Sequence, residues 1–125
     1  MSQISNGPRL PLITALSCLN GRFTEPTAEG LSEQFVEHPH GGAIAYVSAT
    51  AVSLTAQNEL LSDFFYDALI GDDPLPFGAA LSWAKARVLS VHTSFVDVPL
   101  TMQLTGDPMQ RLALQTAPDY VAHGL

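Results

Sequence analysis

Two short apolar runs constrain the fold of this chain more than any other feature. Residues 10–16 (LPLITAL) carry Ile13 and Thr14 and stop at Ser17-Cys18-Leu19-Asn20-Gly21, where Asn-Gly is a strong turn signal. Residues 43–48 (AIAYVS) follow a break at His38-Pro39-His40-Gly41-Gly42. Continuous apolar runs of this length fit strands buried on both faces. Between them, residues 28–37 fit a helix: Leu31 and Phe35 lie one turn apart, and Glu29 sits near the N-terminus, where negative charge complements the helix dipole. Strands alternating with helices imply an α/β fold with a parallel sheet covered on both faces.

The clearest element follows. Ala56, Leu60, Leu61, Phe64, Phe65, Ala68 and Leu69 recur at helical spacing between Thr55 and Ile70, and Gly71-Asp72-Asp73-Pro74 ends the pattern. A further helix is expected over residues 77–89, with Ala80, Trp83, Ala84 and Val88 on one face and Trp83 read as core. Val96, Val98, Leu100, Met102 and Leu104 alternate as a strand does, but Pro99 interrupts them, so strand and helix both stay open here. A Gly106-Asp107-Pro108 turn and a short apolar run precede the tail. Two firm strands are too few for a sheet covered on both faces, and an open edge that small exposes apolar surface. The chain reads as part of a sheet.

Composition narrows the function classes. Of 125 residues, 46% are hydrophobic and 14% charged, which excludes a disordered tail. Twelve acidic residues against five basic give a net charge of −7 with no Lys/Arg cluster, so a nucleic-acid backbone is not an expected partner. No apolar run approaches the roughly 18 residues that span a bilayer, and residues 1–9 lack the apolar centre of a signal peptide. No membrane partner and no compartment are read from this. The single cysteine excludes a disulfide framework and a multi-cysteine zinc site, and no cofactor or metal is called for.

Ligands of open α/β sheets bind beyond the carboxyl ends of the strands. Cys18 falls at such an end, where turn amides or a helix N-terminus favour a thiolate. At this point the residues resemble a family. Leu16-Ser17-Cys18-Leu19-Asn20-Gly21-Arg22-Phe23 is similar to the segment around the nucleophilic cysteine of the gingipain-type peptidases. In order along the chain, the resemblance continues through Leu31-Ser32-Glu33, Gly41–Val47, the helix with paired aromatics, Pro76–Leu81 and Leu104-Thr105-Gly106-Asp107-Pro108. The Pro76–Leu81 piece lacks the acidic residue of the family pattern.

The resemblance implies a caspase-like (gingipain-type) three-layer sandwich with a mostly parallel sheet, of which this chain holds the C-terminal part, the N-terminal strands being missing. It divides the chain into a polar segment at 1–9, a peptidase-domain part at 10–114 and a tail at 115–125. It implies cysteine–histidine peptide hydrolysis with Cys18 as nucleophile and its own backbone N–H as one oxyanion donor. The segment holding Ser53, Thr55, Gln57 and Asn58 is implied to wall the substrate pocket, and it offers no carboxylate to a substrate Lys or Arg. The family's histidine would lie upstream of Met1, and no histidine precedes Cys18 here. His38 and His40 are expected at the opposite edge of the sheet, as a solvated helix stop rather than a metal pair. His92 and His123 are not expected to serve Cys18. Glu33 is read as a helix N-terminal acid and Asp107 as a turn cap.

Two functions remain. One is the nucleophile-bearing half of a cysteine endopeptidase acting on a peptide or protein, with an upstream polypeptide completing the sheet. The other is a truncated or degenerate peptidase domain kept as a non-catalytic interaction module.

Overall fold

In this computed structural model, residues 4–24 and 26–113 are described. Seven elements follow one another: β1 (Leu12–Ala15), α1 (Leu31–Val36), β2 (Ala45–Ala49), α2 (Thr55–Ile70), α3 (Phe77–Val91), α4 (Asp97–Thr101) and β3 (Met102–Gly106). β2 is central. It pairs parallel with β1, Leu12 opposite Ala45 and Ala15 opposite Ser48, and antiparallel with β3, Ala49 opposite Met102 and Ala45 opposite Gly106. In this sheet the pairing is therefore evenly divided between parallel and antiparallel, not mostly parallel as expected.

Alternation along β2 sorts its side chains onto two faces. Ala45, Val47 and Ala49 face the main core, which Leu61, Phe65 and Leu69 of α2, Phe77, Ala80, Ala84 and Val88 of α3, Val98 and Met102 complete. On the other face Tyr46 meets Phe35 of α1, with ring centroids 5.6 Å apart. The sheet thus lies between α1 on one side and α2 with α3 on the other. All five residues of β2 are buried, as the apolar run predicts. The four of β1 are only half-buried, because β1 has a strand on one side alone among the described residues.

The ambiguous stretch around Pro99 contains both structures in turn. Pro99 falls in the first turn of the short helix α4, where a missing N–H costs nothing. The strand pattern takes hold at Met102, whose side chain is fully buried. Trp83 also departs from expectation: it is 40% exposed, set edge-on to Phe64 at 6.0 Å, with the Arg87 guanidinium 5.4 Å from the Phe64 ring and 5.8 Å from its own.

Two motifs of the sequence meet at the start of α3. The Phe77 and Gly78 amides, which have no partner inside the helix, donate to the carbonyls of Gln110 and Pro108 at 2.9 Å each. A side chain at Gly78 would put its Cβ 2.6 Å from the Pro108 ring, so this docking requires glycine. Asp107 caps the same turn by accepting from the Met109 amide at 2.9 Å. Glu33 likewise accepts from the Gly30 amide at 2.7 Å at the start of α1.

Candidate active site around Cys18

Because β1 and β2 run parallel, the segments that follow them emerge at the same edge of the sheet, and hydrogen bonds stitch them together. The Gly21 amide donates to Ala49 O at 3.0 Å, and the Leu19 amide to Ala51 O at 3.3 Å. A Cβ on Gly21 would lie 2.3 Å from Ser48 Oγ, so glycine lets the chain return this close to β2 without moving that side chain. Leu19 holds φ at +65°, a region that costs a branched residue about 1 kcal/mol or more. That conformation, immediately after Cys18, turns the chain so that the cysteine is exposed.

The thiol is held by one residue. Cys18 Sγ lies 3.3 Å from Ser53 O, to which it donates as a thiol. The Ser53 amide is 3.4 Å from Sγ and the Ser53 hydroxyl 4.0 Å, and both donate to it. The Ser53 amide and then its hydroxyl hold the thiol below its ordinary pKa, against a smaller desolvation in the opposite direction, and the cysteine's own amide adds the least. Ser53 lies two residues before α2, a helix of 16 residues without an acid in its first turn. The positive end of its dipole adds to the same effect.

Asn58 fixes this geometry from beneath. Its Nδ2 donates to Leu16 O at the end of β1 (3.2 Å) and to Ser53 Oγ (2.9 Å). Of the four residues expected to wall a pocket, Ser53 and Asn58 are thus brought to the sulfur. Gln57 is buried in the first turn of α2, and Thr55 is exposed at its start. Gln57 Oε1 and Asn58 Oδ1 find no partner among the described residues. Sequence reasoning did not anticipate that Ser53 is the residue that touches the thiol. The available signal was the pair of amides at 57 and 58, which share the inward face of α2 with Leu61 and Phe65.

No described histidine is among the hydrogen-bond partners of the sulfur, which belong to Ser53. His38 and His40, with rings 6.3 Å apart, precede β2 and so lie at its amino-terminal edge. His92 ends α3 and stacks on Phe95 at 4.5 Å. His123 lies outside the described residues. Among the described residues no group of three His, Cys, Asp or Glu could hold a metal ion, and no helix is long and apolar enough to cross a membrane.

Comparison with protein families matches residues 1–113 to the family model described as peptidase family C25. The chain belongs to this family, the gingipain family, and is a cysteine-peptidase-related domain. Comparison with curated proteins gives no match, and neither does comparison with solved structures.

Proposed function

We propose that this chain supplies the nucleophile of a cysteine endopeptidase, with Cys18 as the attacking residue. The observation that carries the reading is the exposed Sγ at the carboxyl end of β1, held by the Ser53 amide at 3.4 Å. In the proposed reaction the thiolate attacks the carbonyl carbon of the scissile bond, and the Cys18 amide donates to the developing oxyanion. The tetrahedral adduct then collapses: the C–N bond breaks, and the leaving nitrogen takes a proton from a general acid. Water cleaves the resulting thioester, giving its proton to the same group, now acting as base. That group is a histidine outside residues 4–113, on a segment that pairs with the outer edge of β1 and extends the sheet toward a caspase-like sandwich.

The test is alkylation of Cys18 by iodoacetamide across pH, read by intact mass, which the single cysteine makes unambiguous. A rate–pH midpoint below that of a free cysteine peptide is expected. A midpoint at or above it would remove the nucleophile reading. The second reading, a non-catalytic interaction module, would then hold, favoured by the thiol having Ser53 and no described histidine as its hydrogen-bond partner. In that case Cys18→Ala would alter stability alone.

A further inference from the structure

Backbone and side chain of Ser53 meet the thiol in different ways. The Ser53 carbonyl accepts from the thiol at 3.3 Å and its amide donates to Sγ at 3.4 Å, so these two backbone groups set the position of the sulfur. The hydroxyl stands further off, 4.0 Å from Sγ. Its oxygen accepts from Asn58 Nδ2 at 2.9 Å, and the same nitrogen is anchored on Leu16 O at 3.2 Å. With a lone pair of Oγ taken up on the Asn58 side, the hydroxyl proton is left for the side of the sulfur. Asn58 Oδ1 takes no hydrogen bond among the described residues, so the proton is not spent there. Ser53 and Asn58 are both buried, which fixes the hydroxyl before any substrate arrives.

Attack on a carbonyl changes what lies beside Sγ. In the tetrahedral adduct the oxyanion stands two bonds from the sulfur, and a donor to it must lie about 2.7–3.1 Å away. A hydroxyl 4.0 Å from Sγ, long for a bond to the sulfur itself, can reach an oxygen carried on that sulfur at such a distance. The Asn58 amide and the Ser53 hydroxyl then form a chain of donors in which each bond polarises the next. We infer that the Ser53 hydroxyl donates to the oxyanion, as a catalytic side chain acting beside the Cys18 amide. This rests on Cys18 being the nucleophile and gives it a stabilising partner 35 residues further along the chain.

The experiment compares two reagents on the whole chain by intact mass, with Cys18→Ala as the background. p-Nitrophenyl acetate acylates the thiolate: the Sγ–C bond forms, the carbonyl pair moves onto oxygen, and its return expels p-nitrophenolate with the C–O bonding pair. This leaving group needs no general acid, so no histidine enters. Iodoacetamide alkylates the same thiolate with loss of iodide and builds no oxyanion. The ratio of ester rate to alkylation rate should exceed that of a free cysteine peptide. In Ser53→Ala it should fall about fivefold or more, short of the order of a hundredfold lost in a closed site because Cys18 is exposed. Losing the hydroxyl also raises the thiol pKa, a change that makes the thiolate more nucleophilic and so does not produce the fall. Ser53→Thr keeps a hydroxyl and should keep the ratio. A ratio no higher than the free peptide's, one unmoved in Ser53→Ala, or one lost equally in Ser53→Thr would overturn the inference. The iodoacetamide midpoint, measured in parallel, then tells whether the nucleophile reading fails with it: a lowered midpoint keeps a reactive Cys18, an ordinary one removes both.

Discussion

Asn58 is the residue whose replacement tests the site most directly, because one buried amide ties the end of β1 to the loop that holds the thiol. Leu16 O can only accept, so it fixes which end of the Asn58 amide faces it. Replacing Asn58 by Leu, of similar volume, removes both donated bonds, at 3.2 Å and 2.9 Å. Each contributes about 0.5–1.5 kcal/mol net. The loss of Oδ1, buried without a partner among the described residues, returns about 1 kcal/mol. The net cost is therefore at most about 2 kcal/mol. With an unfolding entropy of about 2.1 cal/mol/K per residue, that lowers Tm by up to about 8 °C. Differential scanning fluorimetry reads the stability, and the iodoacetamide midpoint reads the site. With Leu16 and Ser53 untied, the Ser53 donors are no longer held against Sγ, and the midpoint should rise. Leu69→Ala is the control: it truncates a buried side chain about 16 Å further along α2 and should cost about 2–5 kcal/mol while leaving the midpoint where it is. An Asn58→Leu protein whose Tm falls with an unmoved midpoint, or a Leu69→Ala midpoint that shifts equally, would refute the reasoning.

Ser53→Ala removes the hydroxyl but keeps the amide, the larger of the two influences on the thiol, so the alkylation midpoint should rise only part of the way to that of a free cysteine. The sign of the linkage follows: because the folded state depresses this pKa, Cys18 contributes stability above the unfolded thiol pKa. That contribution is lost as pH falls through the folded value, and urea titrations above and below this window check it. Gly21→Ala forces a methyl group against Ser48 Oγ and should cost about 1–3 kcal/mol by overpacking; adding Ser48→Ala, which deletes that oxygen, should restore part of the Tm. Phe77→Ala empties a fully buried site at the start of α3 and should cost about 3–5 kcal/mol, visible as a lost or strongly lowered unfolding transition by circular dichroism.

What could be read from the sequence was whatever a local pattern determines. The span of α2 follows from its apolar period and from the Gly-Asp-Asp-Pro break, and both ends coincide with the structure. Cys18 falls at the end of β1 because Asn20-Gly21 stops the strand. The half-burial of β1 was not legible, since it depends on which neighbours a strand finds and not on its own residues. Trp83 shares the period of Ala80 and Ala84, yet it sits at the margin of the face. There a large ring gains contact with Phe64 and Arg87 without full burial. The contact between Cys18 and Ser53 spans 35 residues and arises from the pairing of two strands, so no local window contains it.

The topology explains why the thiol has its donors but lacks a base among the described residues. Parallel pairing delivers the ends of β1 and β2 to one edge, and antiparallel β3 begins at that same edge, where the Thr50 amide donates to Thr101 O at 3.0 Å. Amides therefore converge on the carboxyl edge, while the turn carrying His38 and His40 is sent to the opposite one. Two sheet positions flank β1, and β2 occupies one of them. A strand paired parallel along the other would end about 4.8 Å to the side of β1, within reach of Cys18 for an imidazole. A strand added beyond β3 would stand two further spacings away, with β2 and its loop between. Among the described residues the outer edge of β1 is unpaired, which leaves room for such a strand beside Cys18 without displacing Ser53.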